Sequence, residues 1–139
     1  MKQLPVFFYC ILFFSTGCLR HEYKKPLCNN YFLYAYAADE DMCIIYADKY
    51  GAIDIIGPTV FSVGYDKNYI IAKQHPAIYP ERENTHITNY FIIALNTPVS
   101  WKNQNVAMGP LNEKQFIEWK QKLKIADTLH FSITFDDVK

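Results

Sequence analysis

Short runs of Tyr, Phe, Ile and Val, each ended by Asp, Asn, Gly or Pro, recur along the chain from Tyr31 onward and constrain its fold more than any other feature. Runs of roughly four to eight β-branched and aromatic residues bounded by turn formers are strand signals. They predict strands over residues 31–37, 42–47, 59–65, 69–74 and 89–95. Asp39-Glu40-Asp41 reads as a turn between the first two, and Asp66-Lys67-Asn68 as a tight hairpin connection between the third and fourth, because short loops join antiparallel neighbours. A closing strand over 130–135 alternates Phe131, Ile133 and Phe135 with polar partners.

One segment carries the helical period instead. Asn112 is an N-cap with Gln115 at the capping-box position and Pro110 just upstream. Phe116, Trp119 and Leu123 then recur three and four residues apart on one apolar face, with Glu118 and Lys122 spaced for an ion pair on the outer side. The elements together predict an α+β domain: an antiparallel sheet of about five to six short strands, with one C-terminal amphipathic helix packed on it and a closing strand.

Ahead of this domain stands a leader with the parts of an export signal: Lys2, an apolar stretch from Leu4 to Phe14 broken by Pro5, and the small residues Ser15, Thr16 and Gly17 before Cys18. The stretch falls short of the roughly 20 apolar residues that span a bilayer, and the charged run from Arg20 to Lys25 follows at once. Residues 15–18 resemble the lipobox of bacterial lipoproteins, with Ser15 where that pattern has Leu or another aliphatic residue. The resemblance implies cleavage before Cys18 and a diacylglycerol and N-acyl lipid on it, more than one acyl chain and so a stable anchor. The alternative is an ordinary secretory signal with Cys18 as a plain thiol. The expected organisation is a signal peptide over 1–17, the lipidated cysteine and a polar tether over 18–30, and one domain over 31–139. Leu19 rather than Asp after Cys18 favours the outer membrane, should the envelope be Gram-negative.

Formal net charge is zero, so there is no basic excess and nucleic acid is not an expected partner. Of the four cysteines, Cys10 leaves with the leader and Cys18 takes the lipid. Cys28 and Cys43 are left for an oxidising compartment, either bridged or as two separate buried thiols, since spacing does not decide between these.

The middle of the chain, Ser62-Val63-Gly64-Tyr65-Asp66-Lys67-Asn68-Tyr69-Ile70-Ile71-Ala72-Lys73-Gln74-His75-Pro76 with Ile87-Thr88-Asn89-Tyr90-Phe91-Ile92-Ile93 and Gly109-Pro110-Leu111-Asn112, resembles a family of small bacterial lipoproteins of unknown function. The resemblance covers most of residues 57–124. It implies an envelope lipoprotein with a small sheet-based domain, and supplies no catalytic residue or cofactor.

The densest polar chemistry is Lys73-Gln74-His75 with His86, Asn89 and Tyr90. Adjacent antiparallel strands would bring these ends together and make a pocket with Tyr65 and Asp66, or with Tyr79 and Arg82 of the proline-bearing loop. Two histidines and a carboxylate can bind zinc or move protons, whereas the plainer role of His75 and His86 is to fix the loop between them by hydrogen bonds. No metal site is assigned, because no spacing is diagnostic. Tyrosines are the other resource: they need partners for their hydroxyls when buried, and Tyr34 and Tyr36 share one face of their strand. Two functions compete. One is a membrane-tethered module that binds an envelope or secreted protein through strand faces and the 75–88 loop. The other is a small envelope hydrolase or metal-dependent enzyme using His75 and His86.

Overall fold

In a computed structural model, residues 22–77 and 84–135 are described. The leader, Cys18, Tyr79 and Arg82 lie outside them. Strands β1 (Tyr23–Pro26), β2 (Tyr31–Ala35), β3 (Cys43–Asp48) and β4 (Gly51–Ile56) form one antiparallel meander, here sheet A. Strands β5 (Val60–Tyr65), β6 (Tyr69–Gln74), β7 (Asn89–Ala94), β8 (Ala107–Leu111) and β9 (Ile133–Thr134) form antiparallel sheet B in the order β8-β7-β6-β5-β9. Helix α1 (Glu113–Lys122) packs on β7 and β8. The fold is α+β and mostly β.

The second sheet follows from the apolar runs. Ile70-Ile71-Ala72 and Ile92-Ile93 are buried at consecutive positions, and successive strand residues point to opposite faces. Ile70, Ala72 and Ile93 join Leu33, Ile44 and Ile56 between the sheets. Ile71 and Ile92 join Phe116, Ile125 and Leu129 under the helix. Sheet B therefore needs a layer on each side, and sheet A supplies the one the helix does not. Each large side chain fully buried there contributes about 1.5–3 kcal/mol.

The expected tether is already folded at Tyr23. β1 pairs Tyr23 with Ala35 and Pro26 with Phe32, while Tyr23 meets Phe135 edge-on at 5.8 Å and Lys24 lies 4.5 Å over the Phe32 ring. β4 and β8 are strands that periodicity did not signal. The closing strand shrinks to Ile133–Thr134, and Asp39–Asp41 is a turn of 3-10 helix. The hairpin between β5 and β6 is held as expected: Asp66 Oδ1 accepts from the backbone N–H groups of Asn68 (2.7 Å) and Tyr69 (2.8 Å). The helix start is the expected capping box, with Gln115 N–H donating to Asn112 Oδ1 at 2.9 Å and Asn112 N–H to Gln115 Oε1 at 3.0 Å. The Glu118–Lys122 pair is replaced, because Lys122 lies 4.1 Å over the Trp119 ring and Glu118 faces Lys114 at 4.0 Å instead.

The strands run between two ends of the molecule. At the entry end, where the chain joins β1, Val60 N–H donates to Met42 O (2.8 Å) and His75 N–H to Thr59 O (3.1 Å). At the far end, Ala47 N–H donates to Asn30 O (2.9 Å) and Leu95 N–H to Asn68 O (2.8 Å). The helix starts at the entry end and finishes at the far end, beside Asn29 and Asn96.

Candidate functional site

The strand-end cluster forms at the entry end. β6 and β7 are antiparallel neighbours that pair Lys73 with Tyr90 and Gln74 with Asn89. Lys73 Nζ sits 4.6 Å over the Phe131 ring and 5.5 Å over that of Tyr90, covering the helix-side core with its stem. Gln74 Nε2 donates to the carbonyls of Pro58 (2.6 Å) and Gly57 (3.0 Å), and its Oε1 accepts from Asn89 Nδ2 at 3.5 Å. Burial, then the charge of Glu113, pushes the Tyr90 phenol above its ordinary range.

The two histidines occupy different environments. His75 is 3% exposed. Its ring stacks on Phe61 at 4.2 Å, and Nδ1 donates to the Ile87 carbonyl 2.8 Å away, a direction fixed because a carbonyl only accepts. Its Nε2 is buried without a partner among the described residues. His86 is exposed, and among the described residues only its backbone N–H is tied, to Asn84 Oδ1 at 3.0 Å. Both hold the returning turn, His75 from beneath and His86 through its backbone. Among the described residues no three His, Cys, Asp or Glu side chains converge to hold a metal.

Tyr65 and Asp66 do not join this cluster. Tyr65 pairs with Ile70 beside the hairpin, about 13 Å along the sheet from the Gln74 end at ~3.3 Å per residue. The carboxylate of Asp66 is spent on the turn. Cys28 and Cys43 are free thiols rather than a bridge. Cys43 opposes Tyr34 near the entry end of sheet A, whereas Cys28 lies in the turn at its far end, accepting from Tyr31 N–H through its carbonyl at 2.8 Å. Burial, then the charge of Asp66, pushes the Cys28 thiol up to about 11. Burial, then Asp54 and Asp41, takes Cys43 to about 12. Both stay protonated and weakly nucleophilic at neutral pH.

Two further features stand apart from that cluster, a tyrosine face that the sequence raised and a groove that it did not. The outer face of sheet A is left uncovered by the helix. It carries Phe32 and Tyr34, with Tyr36 51% exposed beside them, and Tyr34 meets Tyr36 edge-on at 4.7 Å. The Tyr34 hydroxyl donates to Glu22 at 2.7 Å, and that bond, with burial and the Glu22 charge, raises the phenol to about 12. The Asp54 charge raises Tyr36 likewise. The shared face of Tyr34 and Tyr36 was legible from period 2, and of the two it is Tyr36 that stands exposed, with Tyr34 half-buried. At the far end, the 28–30 turn, the β5–β6 hairpin, the 95–99 loop and the end of α1 enclose a polar groove with lobes of about 450 and 300 Å³. Asparagines at turn positions are its sequence trace, and nothing local says that these turns meet.

This geometry defines a two-sheet α+β domain with an open aromatic sheet face and a polar end groove. The chain belongs to the DUF3997 family, a protein of unknown function, whose family model matches residues 28–139. No curated protein and no solved structure matches the chain.

Proposed function

We propose that the chain is a lipid-anchored cell-envelope protein, acylated at Cys18, whose folded domain is a binding module for another envelope or secreted protein. The observation that carries the binding half is the outer face of sheet A, away from the helix, where half-buried Phe32 and Tyr34 stand with the exposed Tyr36 beside Lys24 and Asp54. Aromatic rings with polar tips, flanked by charges of both signs, are what protein interfaces use as anchors. The leader and the resemblance to small lipoproteins support the anchor. No helix among the described residues is long and apolar enough to cross a membrane, so a lipid would be the simplest attachment for this part of the chain. In-cell crosslinking of the full-length protein, with Cys18→Ser as the unanchored control, tests both halves. A near-stoichiometric protein partner that depends on Cys18 and is lost in Tyr34→Ala/Tyr36→Ala is the expected result, and recovery of none sinks the reading.

A second reading, an envelope hydrolase or metal enzyme, has one observation in its favour, the unpartnered buried Nε2 of His75. Against it, His86 is exposed and brings no side-chain contact to that atom among the described residues. Stoichiometric zinc in the purified protein, abolished by His75→Ala, would favour it over the binding module.

A further inference from the structure

We propose that the groove at the far end is a second binding site, specific for an acidic oligosaccharide. It is independent of the sheet A face, which lies toward the opposite end of the strands. Its two lobes share Asn29, Leu95 and Asn96, and their volumes of about 450 and 300 Å³ fall in the range of small-molecule sites, roughly 300–1,000 Å³. The lining carries four asparagines, Asn29, Asn30, Asn68 and Asn96, from three separate turns. None of these four amides is hydrogen-bonded to another described group, and all four side chains are exposed.

An amide presents donors and an acceptor side by side, which matches a hydroxyl pair on a sugar ring, where each oxygen both donates and accepts. Lys67 and Lys124 stand on the lining and no carboxylate does. The nearby Asp66 keeps its charge while capping the hairpin, so two ammonium groups stand against one carboxylate and an acidic sugar meets a positive balance. Apolar ligands are disfavoured by the amides. Nucleic acid is disfavoured by a chain of zero net charge.

Aromatic rings line both lobes, and two more stand outside the lining at the same end. Tyr69 lines one lobe and Tyr46 the other. Beyond the Pro98–Val99 wall, two large aromatics stand in water at the same end of the molecule: Trp101, 58% exposed, and Tyr50, 72% exposed. Trp101 rests on Gly51, where a Cβ would come within 3.3 Å of its ring and where φ of +139° favours glycine. A bare backbone thus seats the indole with much of its surface free, a platform for the C–H face of a sugar. Under the other lobe, Tyr31 is almost wholly buried and its hydroxyl has no partner among the described residues. If the chain is anchored through Cys18, the groove faces away from the bilayer, toward the polymers outside it.

Isothermal titration of the full-length protein in detergent tests this with three probes. Solubilised peptidoglycan glycan strands and an oligogalacturonate are acidic glycans from different sources, and maltotetraose is the neutral control. Binding of at least one acidic probe tenfold or more tighter than maltotetraose is expected, and which one binds identifies the source. That binding should weaken at least tenfold in Asn68→Ala/Asn96→Ala, in Trp101→Ala and in Lys67→Gln, and stay unchanged in Tyr36→Ala. Circular dichroism verifies that each variant is folded. The assignment is overturned by absence of binding at millimolar acidic glycan, by equal affinity for maltotetraose, or by folded groove variants that bind as the parent does. Loss of the protein partner in the crosslinking experiment would leave these titrations untouched, so the two sites fail separately.

Discussion

His75 is held by two contacts, the bond from Nδ1 to the Ile87 carbonyl and the Phe61 ring stacked 4.2 Å away, and truncation removes both while opening a void in a packed layer. His75→Ala should therefore lower stability by about 2–4 kcal/mol. The exposed His86, changed to Ala, should stay within about 0.5 kcal/mol of the parent. Urea midpoints of the two variants decide, and equal losses would show that the pair acts together. The thiols make a pH-dependent prediction. Cys28 and Cys43 sit at about 11 and about 12 in the fold, against an ordinary value of 9.0. Raised values favour the neutral form in the folded chain, so this contribution is fully present below pH 9 and is lost as pH rises through the folded values. A Cys28→Ala/Cys43→Ala variant should accordingly lose less stability than the parent between pH 8 and pH 10 in urea titrations. A parallel decline in both proteins would contradict the burial of the thiols.

Among the elements, legibility divides along the edges of the sheets. The interior strands β2, β3, β5, β6 and β7 all announce themselves, because burial on one or both faces demands apolar and β-branched runs such as Ile70-Ile71-Ala72. The strands that periodicity missed, β1, β4 and β8, are all edge strands. β1 carries Lys24, Lys25 and Pro26, β4 carries Asp54, and β8 carries Gly109 and Pro110. Charge, Gly and Pro are how edges avoid pairing with a further strand, and the same residues erase the strand signal. The candidate site divides similarly. Pairing of Gln74 with Asn89 follows once β6 and β7 are adjacent, whereas the groove needs three remote turns to converge. The helix start was legible because its signal is local: Asn112 and Gln115 cap each other within four residues. Asn112→Ala should cost about 1 kcal/mol, read as a lowered urea midpoint. Gln115→Ala should cost less, since the N–H of Asn112 is exposed to water once released.

At the scale of the whole molecule, the antiparallel meander gives the domain a polarity. The chain enters at the end that holds Tyr23, Met42 and His75, and the six-residue strands carry the fold to an end that holds Asn30, Gly51 and Asn68. Six residues of strand span about 20 Å, so the proposed anchor at Cys18 would hold one end near the bilayer and the groove that much farther out. The lipidated full-length protein in vesicles bearing a headgroup quencher can report this through two single cysteines, Asp39→Cys in the 3-10 turn of the entry end and Lys102→Cys in the far-end loop. Cys28 and Cys43 label slowly in the folded state, their thiols being protonated at neutral pH. Emission from a fluorophore at position 39 should be quenched more strongly than from position 102, and Cys18→Ser should abolish quenching at both. Equal quenching in the anchored protein would mean that the domain lies flat on the membrane. The groove would then face along the surface, and the glycan it meets would have to come from the headgroup layer.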